Sequence, residues 1–152
     1  GLAFDPEGQL FATEFGASDF DEVNRIEAGA NYGWPEVEGE GGAPEFTDPI
    51  QTWRPSEASP AGAAIPSDDF TGPSALENRM LVATLAGERL YSLELSSGEL
   101  SGERELLNGD LGRLRTIVET PDGELWLATS NRDGRGNPSD GDDRIVRLQA
   151  GG

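Results

Sequence analysis

Leu2-Ala3-Phe4-Asp5-Pro6-Glu7-Gly8-Gln9-Leu10-Phe11-Ala12-Thr13 places two apolar runs around a Pro/Gly turn. The phrase returns at residues 117–129, where Pro121-Asp122-Gly123-x-Leu125-Trp126 repeats Pro6-Glu7-Gly8-x-Leu10-Phe11 position for position. Short apolar runs flanking such a turn form a β-hairpin. A third copy lies between them, with Met80-Leu81-Val82-Ala83-Thr84 as one strand and Arg89 to Leu95 as its partner. An apolar-Ala-Thr phrase thus ends at Thr13, Thr84 and Thr129, and each copy leads to an Arg-apolar pair: Arg25-Ile26, Arg89-Leu90 and Arg144-Ile145. Residues 84 to 129 are 45 apart, which suits a propeller blade of about 40 to 50 residues. Residues 13 to 84 are 71 apart, which implies one insertion.

Each repeat is a small antiparallel sheet that cannot bury both faces alone, so neighbours must stack. The expected fold is all-β: three β-propeller blades of four-stranded antiparallel sheets, at residues 1–35, 61–107 and 111–150. An open stack of three sheets is the alternative. Residues 36–60 read as an inserted loop. Its prolines (Pro44, Pro49, Pro55, Pro60) exclude a helix and a central strand. Trp53 is expected to hold this loop and Trp34 to anchor its start. Ser74 to Asn78 suggests one short helical turn.

Composition agrees. Of 152 residues, 35% are hydrophobic, and 21 Gly and 10 Pro punctuate the chain, favouring many short strands over helices. A net charge of −18 argues against nucleic acid and anionic membranes. No apolar stretch approaches a membrane span. With no Cys and no His, disulfides, thiolate and imidazole metal sites and the usual neutral-pH general base are all excluded. The sequence starts inside a strand pattern, as a piece of a longer protein would.

Two stretches could carry chemistry. The first is LFATEFGASDFDEVNRIEAGANYGWP, residues 10–35. A strand runs out at Thr13 and Glu14, and an acidic loop with Gly16 follows. Calcium takes six to eight oxygens, many from carbonyls, and glycine lets carbonyls converge. A solvated Asp/Ser turn is the alternative. Glu14 with Asp21 or Glu22 could also mimic a glycosidase carboxylate pair, but nothing in the sequence fixes their separation. The second stretch is Gly112-Arg113-Leu114-Arg115-Thr116. Residues two apart in a strand share a face, so Arg113 and Arg115 project together and need anions. A ligand with several carboxylates meets that need, as would the chain's own acids.

The motifs ATE-x-G, DE-x-N and NYGWP, with Arg-x-Arg ahead of a Pro-Asp-Gly turn, resemble the glucose/sorbosone dehydrogenase family. Its members are soluble aldose sugar dehydrogenases dependent on pyrroloquinoline quinone (PQQ), built on a six-bladed β-propeller. The resemblance covers nearly the whole chain as the C-terminal half of that domain, which would make it half a ring. Either the missing half or a second copy would close it. The resemblance implies that the carbonyls of Gly16 and Ala17 hold Ca²⁺, that Arg113 and Arg115 bind PQQ, and that Ser56, in Trp53-Arg54-Pro55-Ser56, hydrogen-bonds it. It implies a sugar substrate, an electron acceptor and an exported protein, whether secreted, periplasmic or at the cell surface. Phe15 stands where relatives often carry His or Gln, Ala17 where Pro is common, and Thr116 where Asp is usual. Leu85-Ala86-Gly87 replaces a cofactor-binding Lys. The family's base is a His from the other half of the propeller, so this chain alone could bind cofactor but not complete catalysis. A non-enzymatic extracellular propeller that serves as a binding module is the other function the family permits. SNRDGRG at residues 130–136 and GDDRI at 141–145 also resemble bacterial members; this loop reads as solvated, without assigned chemistry.

Overall fold

The computed structural model describes residues 1–149. Eleven strands form three antiparallel sheets. The first is β1 (Leu2–Phe4), β2 (Leu10–Glu14), β3 (Asp21–Arg25) and β4 (Gln51–Trp53) in that order. The second is β5 (Pro60–Ala64), β6 (Arg79–Thr84), β7 (Leu90–Ser96) and β8 (Glu99–Leu106). In the third, β10 (Leu125–Thr129) lies between β9 (Leu114–Glu119) and β11 (Ile145–Arg147).

The repeated phrase builds the same hairpin twice. Gly8 N–H donates to the Asp5 carbonyl at 3.0 Å and Asp5 N–H to that of Gln9 at 3.0 Å. Gly123 N–H donates to the Thr120 carbonyl at 2.9 Å and Thr120 N–H to that of Glu124 at 2.8 Å. Gly8 and Gly123 both have positive φ, 88° and 75°, which glycine adopts at no steric cost. In the middle sheet, residues 65–78 replace this turn with a longer connection that includes a 3₁₀ turn at Ser74–Leu76, where a helical turn was expected.

Thr84 and Thr129 end the second strand of their sheets, and Thr13 stands one residue before the end of β2. The hydroxyls of Thr84 and Thr129 make the same contact, accepting from the N–H of Arg89 at 3.3 Å and of Arg144 at 2.8 Å, whereas Thr13 Oγ1 donates to the Pro60 carbonyl at 3.0 Å. The Arg-apolar pairs are not equivalent either. Arg25 closes β3, whereas Arg89 and Arg144 precede β7 and β11.

Two boundaries differ from the sequence reading. The segment taken as an inserted loop, 36–60, contains β4, which pairs Asp21 with Trp53 and Val23 with Gln51 and so completes the first sheet. Three residues between prolines carry too little pattern to mark a strand. The third sheet has three strands among the described residues rather than four, and residue 150 of its expected range lies outside them. Trp53 holds the segment as expected: its ring stacks on Tyr91 at 4.9 Å, and its Nε1 donates to Glu103 on β8 at 2.7 Å. Trp34 is exposed and does not anchor the start. Tyr32 does so, accepting from Glu27 N–H and donating to the Arg25 carbonyl at 2.8 and 2.9 Å.

The core is divided in two. Ala3, Phe11, Val23 and Trp53 of the first sheet meet Ala63, Met80, Val82, Tyr91 and Leu93 of the second. Ala64, Leu81, Ala83 and Leu90 on the other face of the second sheet meet Leu114, Ile117, Leu125 and Leu127 of the third. Every residue of β6 is buried, because both faces of its sheet are covered. At Gly62, a Cβ would lie 2.6 Å from the Thr116 Cα, so β5 and β9 approach more closely than a side chain allows. Phe11→Ala is expected to cost about 3–5 kcal/mol, read as a lower urea midpoint at unchanged slope. A loss below about 1 kcal/mol would contradict this account of the first core.

A candidate cofactor edge

Antiparallel pairing sends the ends of β2, β4, β6, β8 and β10 to one edge of the sheets. Loops 15–20, 54–59, 85–89, 107–113 and 130–144 therefore share that edge, and so do Gly16, Ala17, Ser56, Arg113 and Arg115. The loops are bonded to one another. Leu85 N–H donates to the Ser59 carbonyl at 3.0 Å, Gly109 N–H to Glu88 at 2.9 Å and Ser130 N–H to Arg113 at 2.9 Å. A cavity of about 340 Å³ lies at the opposite edge, beside Asp5, Glu7 and Asp68.

Loop 15–20 is organised by two carboxylates. Asp21, at the start of β3, accepts from Gly16 N–H at 3.0 Å and Ser59 N–H at 2.6 Å, fastening this loop to loop 54–59. Glu38 accepts from the N–H groups of Ser18, Asp19 and Phe20 at 3.1, 2.8 and 3.3 Å. Gly16 is required here, since a Cβ would strike the Phe20 carbonyl. With the loop's N–H groups turned onto Glu38, the Gly16 and Ala17 carbonyls accept no hydrogen bond among the described residues. Two neutral carbonyls suit a hard cation but fill only part of its shell. Among the described residues no three His, Cys, Asp or Glu side chains form a metal-binding group, so a carboxylate cluster does not supply the remaining oxygens.

Of the two acids that could pair with Glu14, the structure brings Glu22 beside it and not Asp21. Glu14 faces Glu22 across the β2–β3 ladder, while Asp21 is held by the two loops. Burial raises the Glu14 carboxyl above its ordinary range, with the Glu22 charge adding to it. Burial also raises Asp21, against the opposing pull of its backbone donors.

Arg113 immediately precedes β9 and is buried, while Arg115 is half-exposed within it. They do share a face. Arg113 Nε and Nη2 lie 3.2 and 3.0 Å from Asp133 Oδ2, and Arg115 Nη2 lies 3.6 Å from the same oxygen. Ser130 Oγ is 3.4 Å from Arg115 Nη2. Asp133 belongs to the loop read as solvated, which is in fact built. Asn131 Oδ1 accepts from Arg113 N–H at 2.8 Å, and Asn131 Nδ2 donates to the Leu111 carbonyl at 2.9 Å. Asp142 accepts from Ser139 N–H and Arg144 Nε at 2.9 and 3.0 Å. The signal for Asn131 and Asp133 is their spacing of two beyond β10. It becomes informative only with the register, since Thr129 pairs with Leu114 and residues after Thr129 then fall beside those before Leu114.

Arg113 Nη1 and Arg115 Nε and Nη1 make no hydrogen bond among the described residues. Ser56 sits exposed in the 55–57 turn, its hydroxyl without a partner there. Two guanidiniums against one carboxylate leave one positive charge and open donors, a donor set that fits a ligand bearing several carboxylates. Free carbonyls for a cation lie along the same edge.

These features define an all-β chain that carries an arginine pair and free carbonyls on one loop edge. The chain belongs to the Glucose / Sorbosone dehydrogenase family, whose model matches residues 1–146. It is similar to the PQQ-bound aldose sugar dehydrogenase of Streptomyces coelicolor, at 44% identity and a TM-score of 0.87 over 98% of this chain and 42% of that one. It is 25% identical over 149 residues to the aldose sugar dehydrogenase of Escherichia coli, covering 88% of this chain and 39% of that protein. Over 39 residues it is 54% identical to quinoprotein glucose dehydrogenase B of Acinetobacter calcoaceticus, covering 26% of this chain and 8% of that protein. The chain thus spans about two-fifths of the aldose sugar dehydrogenases it matches. No helix among the described residues is long and apolar enough to cross a membrane.

The loop carboxylates give the edge a pH signature. Glu38, Asp133 and Asp142 titrate below the ordinary range, in each case chiefly because backbone N–H groups bind the ionised form. A carboxyl depressed in the folded state adds stability above its unfolded pKa, near 4, and loses it as pH falls through the folded value. A ¹³C NMR titration is expected to place these three midpoints below ordinary values and those of Glu14 and Asp21 above. The reverse order would contradict the geometry described.

Proposed function

We propose that this chain is the cofactor-binding part of a PQQ- and Ca²⁺-dependent oxidoreductase acting on aldose sugars. The observation that carries the reading is the Arg113–Arg115 pair, which presents open guanidinium donors on the edge that also carries the free carbonyls of Gly16 and Ala17. The similarity to a PQQ-bound relative supports it. When bound, PQQ would supply a two-electron acceptor and Ca²⁺ a Lewis acid. The chain's own residues would bind and orient: Arg113 and Arg115 the ligand carboxylates, Ser56 a further ligand oxygen, and Gly16 and Ala17 the cation. The family's base is a His and the chain has none, so on that resemblance the base that accepts the sugar's proton would come from elsewhere in the protein.

We read the architecture as three blades of a six-bladed propeller. Leu2 and Phe4 on the free face of the first sheet are 69% and 63% exposed, and Val118 and Ile145 on that of the third are 49% and 74% exposed. Sheet faces of this kind call for further blades, either from the same protein or from a second copy. The proposed partners are a sugar and an electron acceptor. Export to the periplasm, cell surface or medium is proposed on the family resemblance alone. The absence of His keeps a second reading open, that of a propeller recognition module without redox chemistry.

Titrating the full-length protein with PQQ, with and without Ca²⁺, separates the two. A calcium-dependent absorbance change is expected, with a rise in melting temperature equivalent to about 2.7 kcal/mol at a hundredfold excess over Kd. The double variant R113A/R115A is expected to bind about 100-fold more weakly. A folded full-length protein that shows no response would favour the recognition module.

A further inference from the structure

We propose that Asp133 is a positioning residue for the arginine pair, setting both the orientation of Arg113 and Arg115 and the charge they present. The proposal rests on the PQQ reading above. One oxygen, Asp133 Oδ2, collects Arg113 Nε at 3.2 Å, Arg113 Nη2 at 3.0 Å and Arg115 Nη2 at 3.6 Å. The Asp133 side chain is itself fixed, its Oδ1 accepting from Arg135 N–H at 2.9 Å. The arm that carries it is fixed as well, through Asn131, which bonds both the Arg113 N–H and the Leu111 carbonyl. The space around this arm is filled: a Cβ at Gly112 would lie 2.3 Å from Asn131 Oδ1, and one at Gly136 would lie 2.8 Å from Arg113 Cδ.

Two guanidiniums side by side repel, and a buried one needs a counter-charge. Asp133 supplies that charge. It takes the Nε/Nη2 side of Arg113 and leaves Nη1 for a ligand. It draws Arg115 toward the same point, so the open donors of both arginines have a fixed spacing. A rigid planar ligand with several carboxylates benefits from donors already in place, because little ordering remains to be done on binding.

This role and simple electrostatics predict opposite signs. A carboxylate beside an anion site repels the ligand, so by Coulomb's law alone its removal should tighten binding. If Asp133 positions the pair, removal should weaken it. PQQ affinity of the full-length protein with saturating Ca²⁺ is measured for wild type, D133N, D133E and R113A/R115A. D133N, equal in size but uncharged, is expected to raise Kd about 10-fold or more, and D133E to recover most of the loss. A packing role would leave D133N neutral and D133E impaired. D133N binding PQQ as tightly as wild type, or more tightly, overturns the proposal while leaving the PQQ reading intact if R113A/R115A still loses binding. A wild type that does not bind, or a double variant that binds normally, overturns both. Should D133N not fold, the wild type decides: the Arg113 Nε–H NMR resonance is expected to stay protected when PQQ is added. Its loss would show that Asp133 is displaced, as a competitor would be.

Discussion

An antiparallel sheet with two apolar faces cannot stand in water, and the middle sheet of this protein has two. β6 is buried along its whole length, and its side chains alternate between two separate cores, Met80 and Val82 into one, Leu81 and Ala83 into the other. Burying an aliphatic side chain contributes roughly 1.5–3 kcal/mol. Uncovering either face would expose several at once. The outer sheets are thus required by the middle one, and their position brings the loops together. Gly62 tightens the arrangement, since β5 and β9 meet backbone to backbone where its side chain is missing.

Much of this was legible in the chain. The Pro-x-Gly-x-apolar phrase located two hairpins to the residue, because the turn needs glycine at positive φ and the strands need apolar pairs. The Ala-Thr endings located the second strand of each sheet. What the phrase could not show was β4, where Gln51-Thr52-Trp53 carries no alternation and is a strand only because β3 offers it an edge. Trp34 and Tyr32 show the same limit. Both are aromatic residues at the start of a long loop, and only the packing shows that the tyrosine hydroxyl finds two backbone partners while the indole stays in solvent.

The site was legible in half. Arg113 and Arg115 announce a shared need for an anion by their spacing, and Gly16 announces a close backbone approach. Their internal partners were hidden, because each lies across a loop. Asp133 is 20 residues from Arg113, and Glu38 is 19 from Asp19. Both sit in Gly-rich acidic stretches that look solvated, because nothing in a sequence separates a carboxylate facing water from one facing a ring of N–H groups.

That distinction bears on how a chain with a net charge of −18 can present an arginine pair with open donors at one edge. All 11 cations are Arg, so each carries a charge fixed at any physiological pH. Four acids of the edge are bound by its loops. Asp21, Glu38, Asp133 and Asp142 each accept from backbone N–H groups of the edge loops. A carboxylate satisfied by amide dipoles projects less of its charge outward than one held in open solvent. More distant acids are screened beyond about 8 Å at physiological salt. The local field near Arg113 and Arg115 is then set by the charges within that distance, Asp133 first among them, rather than by the chain's total. Net charge governs solubility and long-range encounter, and the loop amides govern what the edge can bind.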